Sequence, residues 1–406
     1  MSKHRTVCFF AADISGDRLA ADLARAIRDR HPDIALLGAG GSAMAAAGVD
    51  VRVHITHLSF TGVLDALRLL RELRRLFRWG MQMVLETQPD LVVLIDAEVV
   101  SLPFATWLWR RGIPVLFYFP PQTWLWGRWR MPLIVPLIKR VLSAFPAEAE
   151  LYRRSGADTV WTGHPLRDLV QVKEDASSAL RAIGLDPARP LVALMPGSRR
   201  SEIQRLSPPI LGAARLMRAQ KPELQFVLPL ASETLRPEVE AQLARFPLRD
   251  LVVYRPDSYA VLSQAQVVIQ SSGTATLETA LLGIPSVITY RLRPIEYLFA
   301  SWFMCVDYIG MANILLGDMV QPELFQKHVD AEHLAAEAWS LLTDDVRRRR
   351  IIGRLAQLRD LLGPPGAVER AAAAVVELLP EPQVIAAEAY ATPLADIVAS
   401  QDAVGA

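Results

Sequence analysis

One acidic side chain stands where a doubly wound sheet would place a catalytic base. Asp96 directly follows Leu91–Ile95, an apolar run that we interpret as a strand. Ligands of such sheets bind beyond the carboxyl ends of the strands, and a carboxylate there can deprotonate an attacking hydroxyl. Asp96 is therefore a candidate general base. A helix cap or a solvated loop acid is the alternative.

The loop after the first apolar run, Asp13–Asp17, has polar residues at the start of a predicted helix. Ser15 or Asp17 is expected to cap this helix, and Gly16 would allow a ligand to approach the backbone. A simple N-cap with no ligand fits the same residues.

Two junctions in the second half indicate an anion site. Pro196–Arg199 breaks an apolar run into a loop whose Ser198 and Arg199 suit a diphosphate, although the ending of a Walker loop is missing. Solvated arginines in a turn are the alternative. The second junction contains Ser272, Gly273, Thr274 and Glu278, and its hydroxyl and glycine residues stand at the start of a predicted helix. Glu278, about one turn further, is placed to bind ribose hydroxyls, or it completes a capping arrangement only. Together the junctions predict a nucleotide-diphosphate donor.

Two segments of the first half have the composition of a membrane-binding surface. Phe60–Trp79 has the pattern of a basic interfacial helix, with apolar Leu64, Leu67, Leu70, Leu73, Leu76 and Phe77 opposite Arg68, Arg71, Arg74, Arg75 and Arg78. A core-facing helix with a charged outer face would look the same. Pro120–Met131 contains Trp124, Trp126 and Trp129 with two arginines, which suits lipid headgroups, an acyl chain or a dimer contact.

His164 ends the last predicted strand of the first half, in the sequence Gly163-His164-Pro165. We expect it to point toward the interdomain cleft, on the acceptor side. A buried structural histidine is the alternative.

Short β-rich runs alternate with helical patterns, which is typical of parallel α/β sheets. The predicted strands are Val7–Ala11, Ile34–Leu37, Leu91–Ile95, Pro114–Tyr118 and Thr159–Trp161, then Leu191–Met195, Phe226–Pro229, Leu251–Tyr254, Val267–Gln270 and Ser286–Tyr290. We predict two doubly wound, Rossmann-like domains over residues 1–170 and 180–345. Helices at 346–380 would follow, with the last one able to return to the first domain, and 381–406 would be a loose tail.

Composition excludes several classes of protein. Of 406 residues, 51% are apolar and 21% charged, enough for two cores, and a net charge of +1 gives no sign of a nucleic-acid partner. Two distant cysteines exclude a disulfide scaffold or thiolate zinc site and suit a reducing cytoplasm. No window approaches the roughly 18 to 20 apolar residues of a spanning helix.

The order of these motifs resembles one family over about Val7 to Leu378. The matching segments are Asp13–Asp17, Gly38–Met44, Thr61–Leu67, Ile95–Ala97, Tyr118–Trp126, Gly163–Pro165, Pro196–Arg199, Ser272–Glu278, Tyr290–Arg291, Asn313–Gly317 and Pro322–Leu324. The chain resembles a divergent member of the lipid-A-disaccharide synthases, inverting glycosyltransferases with the two-domain GT-B fold.

The resemblance implies transfer of 2,3-diacylglucosamine from UDP to 2,3-diacylglucosamine 1-phosphate, giving a β-1,6 disaccharide phosphate and UDP without a metal or cofactor. It implies peripheral binding to the cytoplasmic face of the bacterial inner membrane, and a homodimer remains open. Asp96 and Asp13 would be the catalytic acids. The donor would be held by Ser198, Arg199, Ser272, Gly273, Thr274, Glu278 and Asn313, and the acceptor or lipid would face Ser15, Gly16, Trp124, Trp126 and His164.

Two departures from the family pattern concern the acceptor side. Asp13 stands where the family has Glu, and Glu98–Ser101 replaces the family's Pro-Asp-Phe-Asn beside the candidate base. A related UDP-sugar transferase with another lipid acceptor therefore remains an alternative. A third possible function is that of a catalytically silent relative that binds lipid or nucleotide.

Overall fold

The computed structural model describes residues 5–55, 70–96, 98–256, 258–294, 296–297, 302 and 305–381. Within these ranges, seven parallel strands form the first sheet in the order β3-β2-β1-β4-β5-β6-β7. They are β1 Thr6–Ala11, β2 Ala35–Gly40, β3 Asp50–His54, β4 Leu91–Ile95, β5 Val115–Tyr118, β6 Arg140–Ser143 and β7 Thr159–Trp161.

Helices cover both faces of this sheet, because its central strands are apolar on both sides. They are α1 Ile14–Arg30, α2 Ser42–Ala46, α3 Leu70–Thr87, α4 Glu98–Trp109, α5 Met131–Ile134, α6 Pro146–Arg154 and α7 Leu166–Leu169.

A second parallel sheet follows. In the described part of the chain its order is β10-β9-β8-β11-β12-β13. The strands are β8 Leu191–Met195, β9 Gln225–Pro229, β10 Leu251–Tyr254, β11 Ala265–Ser271, β12 Ser286–Tyr290 and β13 Glu323–Phe325. The helices around it are α8 Ala176–Ala182, α9 Arg200–Gln220, α10 Arg236–Arg245, α11 Thr274–Leu281, α12 Met311–Leu316, α13 Ala331–Thr343, α14 Asp345–Leu355 and α15 Leu358–Leu361.

The last described helix, α16 Ala367–Val376, crosses back to the first sheet. Its alanines and Val375 share a core with α1 and β1. Arg370 donates from Nη2 to the carbonyl of Thr162 at 2.6 Å, and Arg140 of β6 pairs with Glu377 at 2.7 Å. These bonds attach the last described helix to β6 and to the segment after β7 of the first sheet.

The α/β fold expected from the sequence is confirmed. Each predicted strand is present, five with the predicted bounds and five with shifted ends. Three strands were missed. In β3, charged and apolar residues alternate at the sheet edge, β6 begins at Arg140 beside Lys139, and β13 has only three residues. These segments lack the continuous apolar run that indicates a central strand in a sequence. Residues 60–69 of the predicted basic helix, which include Thr61–Leu67, and residues 382–406 of the tail lie outside the described residues.

Candidate functional site

The candidate residues lie at the two points where strand order reverses. In the first sheet, β1 lies between β2 and β4, so the loops carrying Asp13 and Asp96 leave adjacent strands. In the second, β8 and β11 are adjacent in the same way, and they end at Met195 and Ser271, directly before Pro196 and Ser272. Helices on opposite sides of such a reversal leave a crevice between the two loops. Each sheet therefore contributes one crevice to the site.

Asp96 has a left-handed backbone conformation, with φ of 50°. Its N–H donates to the carbonyl of Tyr118 at 3.3 Å, and its carbonyl accepts from the Ser101 hydroxyl at 2.8 Å. Such a conformation is uncommon outside glycine and persists where surrounding bonds fix it. Ser101, within the segment that departs from the family pattern, supplies one of these bonds.

Asp13 is the N-cap of α1, which corrects the expectation that Ser15 or Asp17 would cap it. Its Oδ1 accepts from the Gly16 N–H at 2.6 Å and from the Ser15 hydroxyl at 3.1 Å. A Cβ on Gly16 would lie 2.9 Å from that oxygen, so glycine accommodates the cap rather than an open approach to the backbone. Asp13 is also close enough to Arg199 for their charges to interact across the cleft.

Asp17 is buried and joins α1 to the neighbouring loop. Its two carboxylate oxygens accept from the backbone N–H groups of Gly41, Ala43 and Met44, at 2.7, 3.0 and 3.2 Å. It therefore caps α2, a helix 24 or more residues away in sequence. Sequence reasoning assigned it to the wrong helix because both possibilities place a carboxylate near a helix start.

A buried glutamate that the sequence analysis missed organises the Pro196–Arg199 loop. Glu202 is 5% exposed, and its Oε1 lies 2.9 Å from Nη1 of Arg199. Its Oε2 accepts from the Ser198 N–H at 2.9 Å, and the Tyr290 hydroxyl donates to Oε1 at 3.3 Å. Arg199 is the N-cap residue of α9, so the three-residue spacing typical of a capping box was a readable signal.

The junction after β11 presents the start of α11 to solvent. Gly273 and Thr274 are exposed, while Ser272 is fixed by its hydroxyl, which donates to the carbonyl of Ile309 at 2.6 Å. Glu278 lies one turn further along the helix. Burial raises the pKa of Glu278, and the Arg18 guanidinium on α1 opposes that rise. Arg18 and Glu278 therefore face each other across the two halves of the chain.

Asn313 is fully buried and its amide is engaged within the protein. Its Nδ2 donates to the carbonyl of Gln321 at 2.8 Å and to Glu323 Oε1 at 2.7 Å, and its Oδ1 accepts from the Gln321 N–H at 2.9 Å. Glu323 also accepts from the N–H groups of Ile309 and Gly310, each at 2.8 Å. Asn313 thus shapes the loop that holds Ser272. Glu323 was missed as a member of this network.

The tryptophans of the predicted lipid-facing segment lie in different environments. Trp124 is 6% exposed, packs against Phe145 with ring centroids 5.5 Å apart, and belongs to the core shared with the second sheet. Trp126 is 41% exposed, and the Arg130 guanidinium lies 3.9 Å from its ring centroid. Arg130 also pairs with Glu98. Trp126 is therefore exposed at the surface, whereas Trp124 is part of a core shared by the two halves of the chain.

His164 lies below the surface. It is 5% exposed, packs between Phe119 and Phe145, and its Nδ1 accepts from the Leu166 N–H at 3.1 Å. Burial lowers the pKa of His164 to about 3, so the ring is neutral at physiological pH. These contacts agree with the alternative interpretation, in which His164 is a buried structural histidine.

The described part of the basic helix, α3, turns its apolar side toward the core. Leu76, Met83 and Val84 are buried with the first sheet, while Arg74 and Arg78 are exposed. A core-facing helix with a charged outer face therefore describes residues 74–87. Among the described residues, none of the helices has the length and hydropathy needed to cross a membrane.

Comparison with known proteins decides the family. The family model described as lipid-A-disaccharide synthetase matches residues 7–373. The chain belongs to the lipid-A-disaccharide synthase family. A lipid-A-disaccharide synthase from Geobacter metallireducens is 37% identical over 376 residues, covering 93% of this chain and 98% of that protein. The chain is accordingly a glycosyltransferase of the lipid-A-disaccharide synthase type, as the resemblance predicted.

Solved structures place this synthase family member among GT-B proteins. A putative UDP-N-acetylglucosamine 2-epimerase from Listeria monocytogenes superposes with a TM-score of 0.65 at 14% identity, covering 92% of this chain and 96% of that one. The glycosyltransferase of kitacinnamycin gives a TM-score of 0.57 at 16% identity, covering 92% and 99%. At these identities the likeness concerns the fold, and the predicted GT-B architecture is confirmed.

Proposed function

We propose that this glycosyltransferase moves 2,3-diacylglucosamine from UDP to the hydroxyl of 2,3-diacylglucosamine 1-phosphate, with Asp96 as the base. The observation that carries the proposal is the opposition of two crevices, one ending in Asp96 and Asp13 and the other in Arg199 and the start of α11. Inverting transfer needs a base on one face of the sugar and an anion site for the leaving group on the other.

The base side is built around the fixed backbone of Asp96. The carboxylate takes the proton of the acceptor hydroxyl as that oxygen attacks the anomeric carbon. The new carbon–oxygen bond forms while the bond to the diphosphate breaks, and its electron pair leaves with UDP. Asp13 follows the adjacent strand β1, and its negative charge attracts Arg199 across the cleft.

The donor side stabilises the charge that develops on the diphosphate. Arg199 supplies a fixed guanidinium, and the exposed N–H groups at Gly273 and Thr274 add the positive end of α11. Glu278 is placed one turn further for the ribose hydroxyls. Ser198 and Asn313 act differently, since both are bonded within the protein and shape the loops around the donor.

A small apolar pocket lies between α3, α4 and the strands β1 and β4. Its walls include Phe10, Ile55, Leu76, Leu94, Val100 and Phe104, and its volume is about 20 Å³. Leu94 is two residues before Asp96, so this apolar surface adjoins the strand that leads to the base. Because the space is close to that of one water molecule, an acyl chain enters it only if the walls move apart.

An aromatic and basic surface supports peripheral binding to the cytoplasmic face of the inner membrane. Trp129 and Leu133 are 65% and 67% exposed and adjoin the Trp126–Arg130 pair. Exposed tryptophans and arginines are enriched at the level of lipid headgroups. A protein that docks here could take both acylated substrates from the bilayer.

The segment Glu98–Ser101, which departs from the family pattern, favours a second candidate function: a transferase with another lipid acceptor. Glu98 pairs with Arg130 of the aromatic surface, and Ser101 supports the Asp96 backbone. The base is thus preserved while the groups beside it differ from the family pattern. The two candidate functions differ in the acceptor substrate.

A measurement of UDP release tests both candidate functions. The purified protein is given UDP-diacylglucosamine in mixed micelles with a chelator, with and without diacylglucosamine 1-phosphate. We expect release only with that acceptor. UDP binding without release would favour the second candidate, and replacing the acceptor with other acylated or polyprenyl phosphates would then identify its class. Release with none of these acceptors would favour a silent relative.

A further inference from the structure

A fully enclosed carboxyl group lies behind the candidate base and has no place in the mechanism above. Glu148 is in the first turn of α6 and is 2% exposed. It follows β6, so it lies at the same edge of the sheet as Asp96, which follows β4. A buried carboxylate without a cation is costly. The described groups that act on Glu148 are the Ser143 hydroxyl, the Trp124 indole N–H and the negative charge of Asp96. The two hydrogen-bonding groups lower its pKa, but burial and Asp96 outweigh them.

Hydrogen-bond geometry places a proton on this carboxyl group. The Ser143 hydroxyl lies 2.6 Å from Glu148 Oε2 and 2.9 Å from the carbonyl of Phe145, but it has one proton to donate. Both contacts are satisfied when Glu148 donates to Ser143 and Ser143 donates to Phe145. The Phe145 N–H completes the turn by donating to Ser143 Oγ at 3.3 Å. A carboxylate would leave one short contact without a proton.

The surrounding charges favour the same state. Burial raises the pKa of Glu148 to about 8, and the negative charge of Asp96 contributes to that rise. Tyr152, one turn along α6, is kept neutral by burial and donates to the carbonyl of Pro121 at 2.9 Å. The other described titratable or charged groups near this turn include the ion-paired Glu98 and Arg130, the neutral His164, and Arg140, which pairs with Asp158 and Glu377. Further along α6, Glu150 forms exposed ion pairs with Arg153 and Arg154.

We propose that Glu148 is a positioning residue for the transfer reaction: its neutral carboxyl group fixes the Ser143–Phe145 turn and keeps a second negative charge away from Asp96. Trp124 and His164 both pack against Phe145 of this turn, which links the turn to the second sheet. When Glu148 ionises, Ser143 has one proton for two acceptors, so the bond from its hydroxyl either to the Glu148 carboxylate or to the Phe145 carbonyl is lost. This loosens the turn and places like charges on adjacent loops. The proposal rests on the role given to Asp96.

A pH profile tests this role. The rate constant kcat of the wild type should fall about tenfold between pH 7 and pH 9, as the neutral fraction of Glu148 falls. Glu148→Gln keeps a neutral donor and should be active at pH 7 without this alkaline fall. Glu150→Gln on the exposed side of the same helix is the matched control and should retain the wild-type profile. An unchanged alkaline fall in Glu148→Gln would overturn the proposal.

Infrared difference spectroscopy tests the proton without any substrate. The spectrum of wild type minus Glu148→Gln should contain a protonated carboxyl band at pH 7 that disappears as the pH passes about 8. In an Asp96→Asn background that midpoint should move to lower pH, because the like charge is gone. A carboxylate band at pH 7, or a midpoint unaffected by Asp96→Asn, would contradict the proposal. These readouts stand even if the acceptor proposed above is wrong.

Discussion

The Arg199 guanidinium and the Glu202 carboxylate lie 2.9 Å apart, and this pair fixes the loop that faces the first sheet. Glu202 also accepts the Ser198 N–H, so one buried side chain sets both the backbone and the charge of the loop. A Cβ on Gly197 would lie 2.5 Å from Glu202, which explains the glycine at a φ of 134°. The donor site is therefore preorganised by a residue that need not touch the donor.

Glu202→Ala should weaken UDP binding. The loss of a charge-assisted hydrogen bond costs about 1.5 to 3 kcal/mol, so the dissociation constant should rise at least about tenfold. Isothermal titration calorimetry with UDP measures this, and Glu202→Gln should lie between alanine and wild type. Glu240→Gln, an exposed change on α10, is the control. A folded Glu202→Ala protein with wild-type affinity would contradict the role.

Asp96→Asn should lower kcat by about 10² to 10⁴, because the side chain keeps its size and loses its basicity. UDP affinity should be unchanged, since the donor crevice belongs to the other sheet. UDP release in the micelle assay and calorimetry give the two values, with the exposed Asp50→Asn as control. Loss of both turnover and UDP binding would instead mark Asp96 as structural.

His164 should make folding stability depend on pH in the acidic range. Its folded pKa of about 3 lies below the ordinary value of 6.5, so below pH 6.5 the unfolded chain takes up a proton that the folded chain does not. The free energy of unfolding should therefore fall by about 1.4 kcal/mol per pH unit as the pH drops from 6.5 toward 3. This contribution is absent above pH 6.5.

Urea unfolding of His164→Asn at pH 7.0 and 5.0 measures this dependence. The Asn Oδ1 can still accept from the Leu166 N–H, but it does not titrate, so the slope should decrease. His54→Asn on the exposed face of β3 should leave the slope intact. Equal slopes in wild type and His164→Asn would show that the ring titrates normally in the fold.

Replacing Trp129 and Leu133 together with Ser should reduce flotation with vesicles that contain anionic phospholipid. Both side chains are exposed, so the change removes apolar area from the membrane contact without opening the core. Val346→Ser, a 72% exposed position on α14, is the matched control. Wild-type protein that stays at the bottom of the gradient would refute membrane binding, and equal flotation of the double variant would exclude this surface.

Local sequence was sufficient for the architecture and the order of the junctions. Five consecutive apolar residues before Asp96 predict a central strand, and Pro-Gly after Leu191–Met195 predicts its end. Once parallel strands are recognised, their carboxyl ends must share an edge, so Asp96 and Arg199 could be assigned to crevices from spacing alone. The missed strands are those whose side chains do not show this apolar pattern.

The amino-acid sequence by itself determined the fold class and the family, and it indicated the loops that we propose as the site. Only the tertiary structure decided that Trp124 is buried while Trp126 is exposed, that Asp17 caps α2 rather than α1, and that Glu148 is enclosed behind Asp96. The physical reason is the distance along the chain over which each effect acts. Periodicity and capping act over a few residues and can be read along the chain, whereas burial, proton placement and long-range capping depend on distant segments that meet only in the folded protein.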